Sequence, residues 1–194
     1  MNYKRILTLM VFVFSALAAG TVAQPASKQD NADSNKNFYD LTKAAPAAFR
    51  AGDMAKAAAL ANALLAEAPK FENDWNYCNA IHVGHLVLGR VALAGGDMKE
   101  AKRQLLKSAQ GSGEAGPTTD IKQFKGSPQM ISFGPDMRLA QELLEKGEKD
   151  TVLKYLDLCA KFWIKDLSKV DEWKAQINKG ELPDFGPNLI YFFH

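Results

Sequence analysis

The sequence predicts an all-α fold, a short stack of about three helix pairs closed by a C-terminal capping helix. Three observations carry that expectation. Beyond residue 36, Ala, Leu, Lys and Glu dominate, and apolar residues recur at spacings of three and four, the period of one helix face. Runs of β-branched residues, which favour strands, are absent from that stretch. A glycine followed by an acid also recurs, at Gly52-Asp53, Gly96-Asp97 and Gly147-Glu148, with Ala57, Ala101 and Val152 five residues after the glycine. Glycine supplies the left-handed conformation that ends one helix, and the acid is placed to cap the next and favour its positive end. At 194 residues, 47% hydrophobic and 24% charged, the chain has the size and composition of one domain with its own core, which excludes an intrinsically disordered protein.

The elements follow in order. Lys4 and Arg5 precede the apolar run Ile6 to Ala19, and Thr21-Val22-Ala23 offers a small-x-small cleavage site. That is the layout of a secretory signal peptide over residues 1–23. Fourteen apolar-rich residues at 1.5 Å rise are too short to span a hydrocarbon core of about 30 Å, so the segment reads as an address rather than an anchor. An exported protein, periplasmic or secreted, is expected, with no membrane insertion after cleavage. Loss of Lys4 and Arg5 leaves 22 basic against 22 acidic residues, and the lysines alternate with acids along helix faces. The basic stripe that a nucleic-acid binder uses against phosphates is missing. Residues 24–36 are polar without periodicity and read as a flexible leader.

Residues 37–166 carry the helix pairs. Leu88-Gly89 with Ala101, Ala45 with Ala57 and Pro69, and Leu139-Ala140 with Val152 place small or apolar residues at a common register. This pattern resembles the tetratricopeptide repeat (TPR), whose small residues lie where the two helices of a pair touch. Aligned so, the units span 38–71, 82–115 and 133–166. The resemblance implies a TPR-like α-solenoid in which Ala45, Ala57, Gly89, Ala101, Ala140 and Val152 are the helix-pair packing residues. The family's usual aromatic residues are mostly replaced and the spacers between units are irregular. Each pair cannot bury its apolar face alone, so neighbours must stack.

The stretch 110–135 is rich in Gly and Pro and longer than a connection needs. Phe124, Met130 and Phe133 favour a contact or ordered packing over a tolerated insertion. Phe133-Gly134-Pro135 recurs as Phe185-Gly186-Pro187, and Pro135 suits the opening of a helix. Residues 167–194 predict a capping helix and an aromatic tail. Ser168 and Asp171 suggest a capping box, Gly180 a stop, and the ending FGPNLIYFFH a segment docked on the core. The segments SPQMISFGP, LAQELLEKGE, VLKYLDLCAKFW and PDFGPNL resemble a bacterial family of exported helical-repeat proteins, a resemblance that implies a fold and no particular activity.

Cys78, His82 and His85 stand at i, i+4 and i+7, within about 60° on one helix face, with Asp74 extending the row. Thiolate and imidazole are good zinc or copper ligands, which makes these three residues a candidate metal site. The competing expectation is that they pack and hydrogen-bond within the helix stack. Export also makes Cys78 and Cys159 a candidate disulfide, against two buried thiols. Glu67, Glu72 and Asp74 read as a solvated acidic face. No Gly-x-Ser-x-Gly, phosphate-binding Gly-rich loop or His-Glu-x-x-His is present; scattered carboxylates leave an envelope hydrolase as a third reading. The function expected from the sequence is a non-enzymatic scaffold or adaptor without a cofactor, binding a protein or peptide along a concave face. The alternative is a metal- or small-ligand-binding protein centred on Cys78, His82 and His85.

Overall fold

The computed structural model describes residues 28–110 and 128–190. The expected signal peptide, most of the 110–135 stretch including Phe124, and the last four residues lie outside them. Among the described residues all regular structure is helical: α1 (Lys28–Arg50), α2 (Met54–Glu67), α3 (Tyr77–Ala94), α4 (Met98–Ser108), α5 (Pro128–Phe133), α6 (Arg138–Leu144), α7 (Lys149–Cys159) and α8 (Leu167–Asn178). Short 3-10 turns follow α2, precede α8 and form Gly186–Leu189. The all-α expectation holds for these residues.

Helices α1 and α2, α3 and α4, and α6 and α7 pack as hairpins, α2 packs on α3, α4 meets α6 and α7, and α8 closes on α7. The three hairpin turns are built alike. Gly52, Gly96 and Gly147 have φ of 79°, 81° and 83°. The amide after each glycine reaches back to a carbonyl five residues earlier: Asp53 to Ala48 at 3.1 Å, Asp97 to Ala92 at 2.8 Å and Glu148 to Leu143 at 3.0 Å. This is the Schellman closure that a left-handed glycine permits. Asp53 and Asp97 then accept from the amides of Lys56 and Glu100 at 3.0 and 2.9 Å, capping α2 and α4. Glu148 makes no such cap. Its longer carboxylate reaches Lys102 on α4 instead, at 2.8 Å.

The expected packing residues all lie inside: Ala45, Ala57, Ala101, Ala140 and Val152 are fully buried, and Gly89 is buried in α3. A Cβ on Gly89 would stand 2.3 Å from Leu139 Cδ2 and 3.1 Å from Gln104 Cβ, so this glycine is where α3, α4 and α6 converge. Gly84, which the sequence pattern did not single out, does the same for α2; a Cβ there would stand 2.7 Å from Leu65 Cγ. Between hairpins, Arg90 on α3 grips Glu142 on α6 through Nε and Nη2 at 2.9 and 2.6 Å, while its guanidinium lies 4.4 Å over the Phe49 ring of α1.

Four expectations change. Helix α1 begins at Lys28, inside the segment read as a flexible leader, because from Lys28 to Ala45 no proline or glycine interrupts it. Helix α3 starts at Tyr77, five residues before the aligned unit. Pro135 does not open a helix: α6 starts at Arg138, after an Asp136 turn, and runs only seven residues. Ser168 is not an N-cap either. Helix α8 continues from a 3-10 turn and already includes Leu167, so Ser168 sits inside its first turn. Gly180 does close α8, with φ 83° and the Glu181 amide on the Gln176 carbonyl at 3.0 Å.

Replacing Gly89 by Val should overpack the α3–α4–α6 junction and cost ~1–3 kcal/mol in urea unfolding. Adding Leu139→Ala should make the double variant less destabilised than the sum of the single changes; strict additivity would show that the two positions are not in contact.

Candidate functional site

Among the described residues a cluster of polar groups lies buried where the second hairpin meets the C-terminal half. Helix α3 contributes His82, α4 ends in Ser108, α7 supplies Tyr155 and Cys159, and the two Phe-Gly-Pro turns bring Asp136 and Asn188. All six are at most 3% exposed. Each buried polar group needs a partner, and the geometry supplies them. The Asp136 amide donates to His82 Nε2 at 2.9 Å, which leaves Nδ1 carrying the proton and donating to the Ser108 carbonyl at 3.1 Å. Tyr155 directs its hydroxyl to the Asp136 carbonyl at 3.4 Å. The Asp136 carboxylate, wholly buried, accepts from the Arg138 amide at 2.9 Å and from Arg138 Nη2 at 2.7 Å.

The recurrence of Phe-Gly-Pro is a physical pairing. Asn188 Nδ2 donates to the carbonyls of both Phe133 and Pro135 at 2.9 Å, and the Met137 amide donates to the Asn188 carbonyl at 2.9 Å. The second turn thus docks on the first. Gly134, at φ 79°, lies against the Trp163 indole so closely that a Cβ would stand 2.4 Å from Cε2. Trp163 leans on Trp173 with centroids 5.6 Å apart, and Trp173 meets Phe185 edge-on at 4.9 Å. Phe185 is fully buried and Asn188 nearly so, as the docked-tail expectation required for this part of the tail. Met130 is buried and Phe133 half-exposed.

The electrostatics hold this junction neutral or paired. Burial pushes the His82 imidazole down to about 4, against a smaller upward pull from Asp136. Burial raises Tyr155 well above the ordinary phenol range and the Cys159 thiol far above its own. A thiol held protonated in this way is not an activated nucleophile. His85 faces elsewhere. Its Nδ1 donates to Gln104 Oε1 at 2.6 Å, and Gln104 Nε2 donates to Glu100 Oε1 at 2.6 Å, with Arg103 on the same carboxylate. Burial lowers the His85 pKa as well.

These contacts revise the sequence-derived chemistry. Both ring nitrogens of His82 are taken by backbone groups, and His85 turns to α4. Among the described residues no group of three His, Cys, Asp or Glu is gathered to hold a metal ion. Asp74 does not extend the row, because α3 begins only at Tyr77; its carboxylate belongs to Tyr39. Cys78 and Cys159 stand as separate buried thiols rather than as the candidate disulfide. Cys78 opens α3, which packs on α1, α2 and α4, whereas Cys159 ends α7, which packs on α4, α6 and α8. Asp136, Tyr155 and Asn188 were missed. The signal was present as Phe-Gly-Pro followed each time by Asp or Asn.

No protein-family model, curated protein or solved structure matches the chain.

Because the His82 pKa is lower in the folded state than the ordinary 6.5, the unfolded chain binds the proton first as pH falls. Stability is therefore complete above pH ~6.5 and lost as pH drops towards ~4, by roughly 3 kcal/mol at most for this group. His85 acts in the same direction. Urea unfolding between pH 4 and 7 should show the loss, and His82→Gln should flatten it. Asn188→Leu should leave the Phe133 and Pro135 carbonyls unpaired and cost ~1–3 kcal/mol. In that variant, hydrogen exchange at the Met137 amide should quicken while the Ala57 amide in α2 keeps its protection.

Proposed function

We propose that the protein is an exported, non-enzymatic scaffold whose stacked helix pairs form a TPR-like array that binds a protein or peptide. The observation that carries this reading is the common build of the three hairpins. Ala45, Gly89 and Ala140 each precede the turn glycine by seven residues, Ala57, Ala101 and Val152 each follow it by five, and all six are buried. Repeated hairpins at one register stack in one direction and leave an extended face for a polypeptide. The polar groups of the buried junction support the same reading, since His82, Asp136, Tyr155 and Asn188 bond within the protein and lie away from solvent, out of a substrate's reach. Among the described residues no helix is long and apolar enough to cross a membrane, which is compatible with a protein released after signal cleavage.

The surface offered to the partner is the partly buried row Ile81, His85, Leu88 and Ala92, at i, i+4, i+7 and i+11 on α3, whose apolar members also pack on the core. Apolar anchors of this kind fix a bound segment, while the polar group beside them, here His85, sets selectivity. The test is a cross-linked pull-down of the native protein from its own envelope fraction, read by mass spectrometry. A stoichiometric polypeptide should be recovered with the parent chain and lost with the Ile81→Glu, Leu88→Glu double variant. Recovery of no polypeptide, or equal recovery with the variant, ends the reading.

A further inference from the structure

The sequence marks Glu72 and Asp74 as an ordinary solvated acidic face, yet the structure builds something more specific around them. Trp75 is half-exposed, whereas Trp163 and Trp173 are each 2% exposed. Its ring lies 5.8 Å from that of Tyr39 on α1, at 32°. The Tyr39 hydroxyl donates to Asp74, 3.0 and 3.1 Å from the two carboxylate oxygens. Burial and the neighbouring Asp74 both raise the Tyr39 pKa, keeping the phenol protonated and donating.

The platform is held in place before any ligand arrives. The Asp74 amide donates to the Phe71 carbonyl at 2.8 Å, the Asn76 amide to Asp74 Oδ1 at 2.7 Å and the Tyr77 amide to the Asp74 carbonyl at 3.1 Å. Beneath it, Phe38 stacks on Phe71 with centroids 4.3 Å apart, and Phe38 meets Tyr39 edge-on. Two aromatic rings, one of them half open to solvent, therefore stand beside a carboxylate on a tied loop. Among the described residues, no basic side chain lies within ion-pair distance of Asp74 or Glu72.

We infer that Tyr39, Asp74 and Trp75 form a docking surface for a cationic side chain, arginine or lysine, of a partner polypeptide, with Glu72 adding to the field. The occupant follows from charge complementarity. Indole and phenol faces attract a cation through their quadrupoles, and a carboxylate at their edge supplies the opposite charge. A guanidinium can stack on the rings while donating to Asp74, which an uncharged side chain cannot do. Preorganisation removes the ordering cost that usually weakens a small exposed site. The inference does not rest on the scaffold reading, which places its partner on α3.

The test uses the full chain and two synthetic peptides, Gly-Arg-Gly-Arg-Gly-Arg-Gly and the same sequence with citrulline in place of arginine. Citrulline keeps the shape and removes the charge. In NMR titrations the arginine peptide should shift the Trp75 indole N–H and the amides of residues 38–42 and 72–77 saturably, and less so in high salt. The citrulline peptide should not. Asp74→Asn, which retains an acceptor for Tyr39 and for the Asn76 amide, should weaken binding about tenfold, and Trp75→Ala about threefold to tenfold, both with unchanged thermal unfolding. Equal binding of the citrulline peptide overturns the inference. So does the absence of saturable shifts at millimolar peptide, or binding that survives both substitutions.

Discussion

The imidazole of His82 takes a hydrogen bond from the Asp136 amide and gives one to the Ser108 carbonyl, and the C-terminal half of the fold hangs on that exchange. Ser108 is the last residue of α4, where helix carbonyls run out of intrahelical partners. Asp136 sits in an irregular segment whose amide has no helical partner either. One neutral ring answers both demands while fully buried, which an aliphatic side chain could not do. The protonation state is part of the design: a doubly protonated ring could not accept from Asp136, and the cost of burying that charge holds the ring neutral. The same junction brings Tyr155 and Asn188 inward and so sets the position of α7 and the tail.

A second constraint explains why this junction is so polar. Helix α6 is only seven residues long, so the third hairpin presents less helical surface than the first two. Irregular backbone from the two Phe-Gly-Pro turns fills the space, and irregular backbone carries donors and acceptors that must be matched. Asn188 matches two carbonyls with one amide group, and its own carbonyl takes the Met137 amide. Gly134 and Trp163 supply the apolar side of the same contact. A longer α6 would have needed none of this.

How much could be read in advance follows from the range of each signal. The glycine–acid turns at Gly52, Gly96 and Gly147 were legible because a Schellman closure is local, using only residues within one turn of the glycine. The six packing residues were legible because they repeat at one register. Glu148 departs from its fellows through a single methylene, which carries its carboxylate past the α7 amides to Lys102; that choice depends on a neighbour distant in sequence. The roles of Asp136, Tyr155 and Asn188 depend on the meeting of segments 50 or more residues apart in the case of Asn188 and Phe133. The repeated Phe-Gly-Pro-Asx held that information only as a coincidence of spelling.

The Asp74–Cys78–His82–His85 row shows how a periodicity argument fails and what replaces it. Counting by three and four assumes one continuous helix, and the helix that holds the last three residues starts only at Tyr77. Asp74 precedes that start in a tight loop, where its side chain accepts the Asn76 amide and its carboxylate meets Tyr39 on another helix. The histidines, which do share the helix, diverge because their partners lie on different neighbours, Ser108 and Asp136 for one and Gln104 for the other. Three ligands along a straight helix rise by 1.5 Å per residue and spread over about 10 Å, too far to converge on one ion without a bend. The polar row therefore divides by depth. Its buried members, Cys78 and His82, lie within the hairpin stack, and Asp74, only partly buried, ties the loop beside Trp75 to Tyr39 on α1.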